Sequence, residues 1–128
     1  MKVVQELVAY FDRRGKLSST QIRQLLDHGY LAADAPANML DLAEPAGATY
    51  YFRVAGAIDG PLWGTDVYTG DSSLACAAVH AGLAKPGEAT VVKVVSVVPP
   101  AQFQGSVRHG ITSHDFGRYG SAYTLAAV

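Results

Sequence analysis

Cys76 and His80 stand four residues apart in the run Ser72-Ser73-Leu74-Ala75-Cys76-Ala77-Ala78-Val79-His80-Ala81-Gly82. Small apolar residues between flanking Ser and Gly suit a short helix, so both side chains would share one face. A thiolate beside an imidazolium is the nucleophile and base of thiol-dependent enzymes. Thiolate and imidazole are also zinc ligands, and His109 and His114 could join Cys76 and His80 in such a set. A third grouping is Arg108, His109, His114, Asp115, Arg118 and Tyr119, in a Gly-rich segment. Arginines pair bidentately with carboxylate or phosphate, aromatics add flat contact area, and glycines let the backbone approach a ligand.

Each grouping has a plainer account. A working cysteine needs exposure, an orienting group and oxyanion stabilisation, whereas a small buried hydrophobe beside a core histidine asks only that Ser72, Asp66 or a loop carbonyl satisfy the imidazole. Two histidines with four residues between them in a Gly-rich loop carry little metal specificity. Loop arginines often do no more than form local ion pairs. The reading adopted has no catalytic residue, no metal ligand and no cofactor. Arg108, His109, His114, Arg118 and Tyr119 are the candidate ligand- or partner-binding residues.

The elements that must position these residues follow from pattern. The helix is expected from about Ser72 to Gly82, with Asp71 or Ser72 capping its first turn and Gly82 closing its last in a left-handed conformation. It is apolar nearly all round, which places it inside a fold with strands packed close against it. Thr49-Tyr50-Tyr51-Phe52-Arg53-Val54-Ala55 has strand composition, with Tyr50, Phe52 and Val54 on one face and Tyr51 and Arg53 on the other. Gly56 to Pro61 turns the chain into a strand at Trp63. Lys85 to Glu88 is a turn, and Thr90 to Val98 reads as an interior strand ended by Pro99-Pro100. Gly105 to Gly120 is expected to be mostly loop, and Ser121 to Ala126 a last strand.

Ahead of these, Val4, Leu7, Val8 and Phe11 fall at helical spacing up to Gly15. Ser18 and Gln21 suit a capping box for a second helix with Ile22, Leu25 and Leu26 on its apolar face and Gly29 at its stop. Residues 1–31 therefore read as a helical hairpin, a docking or assembly extension, and the Ala-, Pro- and Asp-rich stretch 32–48 as a surface linker. Arg13, Arg14, Lys16 and Arg23 would suit phosphate contacts, but Glu6, Asp12 and Asp27 lie among them. The 128 residues suit one ordinary domain, and ten basic against eleven acidic residues give a net charge of -1, no field to draw in nucleic acid. No apolar run is long enough to span a bilayer, and the N-terminus lacks a signal peptide's apolar core.

Trp63, Gly64, Tyr68, Ser72, Cys76, Ala77, Ala78, His80, Ala81 and Gly82 together resemble the signature of the LCCL domain. The segment Phe103-Gln104-Gly105-Ser106-Val107-Arg108-His109-Gly110-Ile111-Thr112-Ser113 is similar to a second family motif, with His109 where Asn is usual, and Gly120 to Leu125 to its final strand. The resemblance runs over 49–128. It implies an α+β fold with a central buried helix wrapped by mostly antiparallel strands, in which Trp63, Gly64, Tyr68, Ser72, Cys76, His80, Gly82 and Gly110 are structural signature residues. It also implies a binding module, with lipopolysaccharide or other microbial surface components suggested for some members. LCCL domains of secreted animal proteins typically carry two disulfides, whereas Cys76 is the sole cysteine here. That suits a reducing compartment, and the expectation is a cytoplasmic, bacterial-type member stabilised by packing alone. The leading functional expectation is a non-enzymatic protein-binding or self-assembly module, with a homo-oligomer among its forms. The alternative is recognition of a glycan or anionic headgroup by the Arg108–Tyr119 loop, and a Cys76/His80 enzyme ranks last.

Overall fold

Alternation along a few short strands decides the architecture. In the computed structural model, which describes residues 32–42 and 46–128, Phe52 and Val54 of one strand and Val92 and Val94 of another turn the same way and are buried. The strands are β1 (Ala33–Asp34), β2 (Thr49–Ala55), β3 (Gly64–Thr65), β4 (Val67–Thr69), β5 (Ala89–Val97), β6 (Val107–Arg108), β7 (Ile111–Thr112) and β8 (Ala122–Ala127). Six form one sheet in the order β1-β2-β5-β8-β4-β3, and β6 pairs with β7 separately. Every pairing is antiparallel except β1 with β2. The interior position expected for the Val-rich strand is observed: β5 lies between β2 and β8, with both of its edges paired.

Helix α1 (Leu74–His80) crosses one face of this sheet. Its Leu74, Cys76, Ala77, Ala78 and Val79 pack with Phe52, Val54, Tyr68, Val92, Val94 and Tyr123 in a single core. Alanines permit that approach, since a larger side chain would hold the helix away from the strands. The α+β class and the buried helix thus stand as expected; the hairpin over 1–31 lies outside the described residues.

The helix is shorter than the expected Ser72 to Gly82, and its N-cap is Ser73, not Asp71 or Ser72. Ser73 Oγ accepts from the Cys76 amide at 3.2 Å. Ser72 is fully buried and its hydroxyl is used elsewhere, accepting from the Trp63 amide at 3.0 Å and lying 2.7 Å from Thr69 Oγ1. Further amides at the helix start find carbonyls from outside it: Ser73 N–H donates to Pro61 and Leu74 N–H to Ala37. At the other end Gly82 takes φ +80° as expected, letting the Leu83 and Ala84 amides return to the Ala78 carbonyl.

One other expectation is corrected and one refined. The stretch read as a linker contributes β1, and Met39 within it is a core residue tied to the sheet by its amide on the Gly70 carbonyl. Periodicity could not show this, because a single buried methionine between turn residues leaves no pattern. The Gly105–Gly120 loop contains the β6–β7 hairpin, whose turn is His109-Gly110 with φ +51° and +77°. Two consecutive left-handed residues give the twist of a type I′ turn, usually written Asn-Gly.

Candidate functional site

The strand–helix signature and the loop after β5 meet around His80. The ring of this fully buried residue receives the Tyr68 hydroxyl at Nδ1, 2.9 Å away, and lies 3.2 Å from both the carbonyl and the hydroxyl oxygen of Ser106 on its Nε2 side. A carbonyl accepts only, so Nε2 carries the hydrogen and Nδ1 accepts from Tyr68. Burial above all pushes the imidazole pKa below its ordinary 6.5, with Arg108 adding in the same direction against the Ser106 carbonyl. Burial likewise raises the Tyr68 phenol. Both groups are therefore neutral near pH 7, a donor and an acceptor that hold β4, α1 and the β6–β7 loop together.

Cys76 does not join this group. It is 0% exposed, and its sulfur lies toward Gly60, where an added Cβ would sit only 2.9 Å from Sγ. Both ring nitrogens of His80 are engaged elsewhere, so the shared helix face does not produce a thiolate-imidazolium pair. Among the described residues no group of three or more His, Cys, Asp or Glu is arranged to hold a metal ion.

The recognition set is likewise divided. Arg108 Nη1 donates to Asp66 Oδ1 at 2.7 Å, and Asp66 occupies the tight β3–β4 turn at φ +66°. This bridge ties the β6–β7 hairpin to the β3–β4 hairpin, and the Asp66 carboxylate raises the Arg108 pKa. His109 Nδ1 donates to the His80 carbonyl at 3.1 Å, capping the end of α1. Arg108 and His109 thus position the loop. His114, Arg118 and Tyr119 lie farther along, His114 with its backbone bridged to Trp63 and its side chain exposed. Arg118 is exposed and makes no ion pair among the described residues.

Around these last residues the surface is aromatic. Phe116 meets Trp63 edge to face at 6.2 Å and Tyr119 at 5.8 Å, a row of three rings in which Phe116 is 43% exposed. Burial first, then the charge and hydrogen bond of Asp71, raise the Tyr119 phenol pKa. Phe103, buried beneath, pairs through its backbone with Phe116, and Asp115 Oδ1 accepts from the Gly105 amide at 2.7 Å. An open cleft of about 530 Å³ beside the row is lined by Gln102, Phe103, Gln104, Asp115, Phe116 and Gly117. Sequence reasoning passed over Phe116, Gln102 and Gln104. The signal was present: an aromatic residue in a Gly-rich loop has no core face to serve. A second cleft, of about 600 Å³, opens between the 34–38 segment and the helix start, where Asp34 pairs with Arg53 at 3.4 Å.

Residues 46–122 match the model of the LCCL domain. A 70-residue stretch is 36% identical to the human protein named cysteine-rich secretory protein LCCL domain-containing 2, covering 53% of this chain and 14% of that relative. The buried Tyr68–His80 pair, the capped alanine helix and the Gly64, Gly82 and Gly110 turns fall within the matched span. On this evidence the chain belongs to the LCCL domain family.

Proposed function

We propose that this domain is a non-enzymatic binding module that recognises a glycan on the surface formed by Trp63, Phe116 and Tyr119. The exposed Phe116 ring, braced on both sides by aromatic edges, carries the reading. A sugar ring has apolar C–H faces that lie against aromatic carbon and hydroxyls that need donors and acceptors beside it. Gln102 and Gln104 supply amide groups of both kinds at the cleft. Arg118 and His114 would add affinity for an acidic sugar or a phosphorylated headgroup. The family's binding character supports the general reading, and the engagement of both His80 nitrogens supports a role without catalysis. One cysteine, fully buried, suits work in a reducing compartment.

The test is a glycan array with neutral and anionic oligosaccharides, followed by titration calorimetry on any hit. Phe116→Ala should weaken binding about tenfold or more, or roughly 1.4 kcal/mol, with little change in melting temperature. Arg118→Ala should weaken only anionic ligands. A domain that binds nothing on the array, or whose binding survives Phe116→Ala, overturns the reading. Protein binding or self-assembly then returns to the front, with solution mass by light scattering as its measurement.

A further inference from the structure

His80 lies in the core, yet its cover is thin on one side. Tyr68 of β4 meets the ring at Nδ1, whereas on the Nε2 side it meets Ser106, which is itself half-buried. Ser106 also supports a wall of the cleft beside Phe116. Its hydroxyl lies 2.6 Å from Thr65 Oγ1, which donates to the Gln104 carbonyl at 2.8 Å, and Gln104 lines that cleft. The Ser106 carbonyl accepts from the Ser113 amide as well as from His80. Ser113 is not free to follow Ser106 outward, because the next residue, His114, is bonded through its backbone to Leu62 and Gly64.

We propose that His80 is an acid-operated latch on this cleft: a proton taken up at Nδ1 releases residues 104–106 from α1 and from Ser113, and the Gln104 wall with them. In the imidazolium both nitrogens donate, so Tyr68 must turn to accept and its own hydrogen loses its acceptor inside the core. The new charge also lacks a free counter-ion among the described groups that face it. Asp66 is already bound to Arg108 at 2.7 Å, and Arg108 and His109 disfavour a further positive charge. Tyr123 of β8, behind Tyr68, donates to the Ser72 carbonyl, and the strands packed on the helix present Phe52, Val54, Val92, Val94 and Ile111. An unpaired buried charge is costly, and its shortest way to water is past Ser106. The direction of the His80 pKa agrees, since burial above all holds it under the ordinary 6.5. Together with the glycan reading, on which this consequence rests, the latch makes the site release its ligand in acid.

Amide hydrogen exchange on the full chain tests the latch at the Ser113 amide, whose acceptor is the Ser106 carbonyl. Corrected for the intrinsic exchange rate, its opening constant should rise between pH 7.5 and pH 5 by up to about thirtyfold, the limit for a group that titrates near 6.5 only when open. Low concentrations of urea should leave this local opening unchanged while speeding exchange in the β2–β5 ladder, which opens by global unfolding. An opening constant that stays level in acid overturns the proposal, as does a urea dependence equal to that of the ladder. His80→Gln should abolish the rise. His109→Asn, at the other imidazole touching α1, should keep it, and loss of the rise in that variant would assign the effect to His109 and overturn the latch. The readout needs no ligand, so its failure leaves glycan recognition standing, and a blank glycan array leaves the latch to be read on its own.

Discussion

The Tyr68 hydroxyl donates to His80 Nδ1 across 2.9 Å, the two rings standing edge to face with centroids 5.7 Å apart. One hydrogen bond thereby couples the second strand of the β3–β4 hairpin to the last turn of the helix, and it exists only while the imidazole is neutral.

Stability should therefore follow the His80 proton. The folded-state pKa is held below 6.5 while the unfolded chain protonates near that ordinary value, so between the two the unfolded state binds more protons. This contribution is complete above pH 6.5 and is lost as pH falls through the window below it. Urea unfolding should show a higher midpoint at pH 8 than at pH 5. His80→Gln should be less stable at both but flatter between them, and an equally steep fall in that variant would assign the effect to other groups.

Ala78 is fully buried where α1 meets the strands. Ala78→Leu should cost about 1 to 3 kcal/mol, because the added carbons have no vacant volume to enter. Chemical denaturation reads this directly; an unchanged midpoint would show that the helix is not packed as described.

Two left-handed glycines should behave differently. Gly64 has φ +102°, and a Cβ there would run into the Val67 carbonyl oxygen, whereas Gly87 has φ +78° with open space around it. Gly87→Ala should cost only its conformational strain, about 1 to 2 kcal/mol. Gly64→Ala should cost clearly more, since backbone must also shift. Melting temperatures of the pair measure the difference.

Cys76 should resist thiol reagents in the native protein and react at a rate that rises with urea in step with unfolding. Fast labelling without denaturant would reopen thiol chemistry.

Much of this was legible in the residues. Period-two patterning located β2 and β5 within a residue or so, and the Ser and Gly flanks located α1, because hydrophobic alternation and backbone capping are local signals. The cap itself was misplaced by one residue or more, since Ser72 and Ser73 are equivalent in sequence and only tertiary demand separates them. The division of labour in the 108–119 loop was not legible either. Arg108 finds Asp66, 42 positions away, and His109 finds the His80 carbonyl, 29 away. Such partners depend on how the loop is laid over the helix end. His109-Gly110 did hold a readable clue, because the Asn usual at that position tolerates φ above zero, and His replaces it here at φ +51°.

The order of the sheet bears on how this chain is made. β8, the last described strand in the sequence, lies between β5 and β4 and, among the described strands, is the only one joining the β1-β2-β5 portion to the β4-β3 hairpin. During synthesis the described strands give the two portions no ladder between them until residues 122–127 have left the ribosome, so the valine-rich edge of β5 stays open while residues 98–121 emerge. Completion of this sheet therefore waits on pairings distant in sequence, and the partly emerged domain is the form most exposed to mispairing.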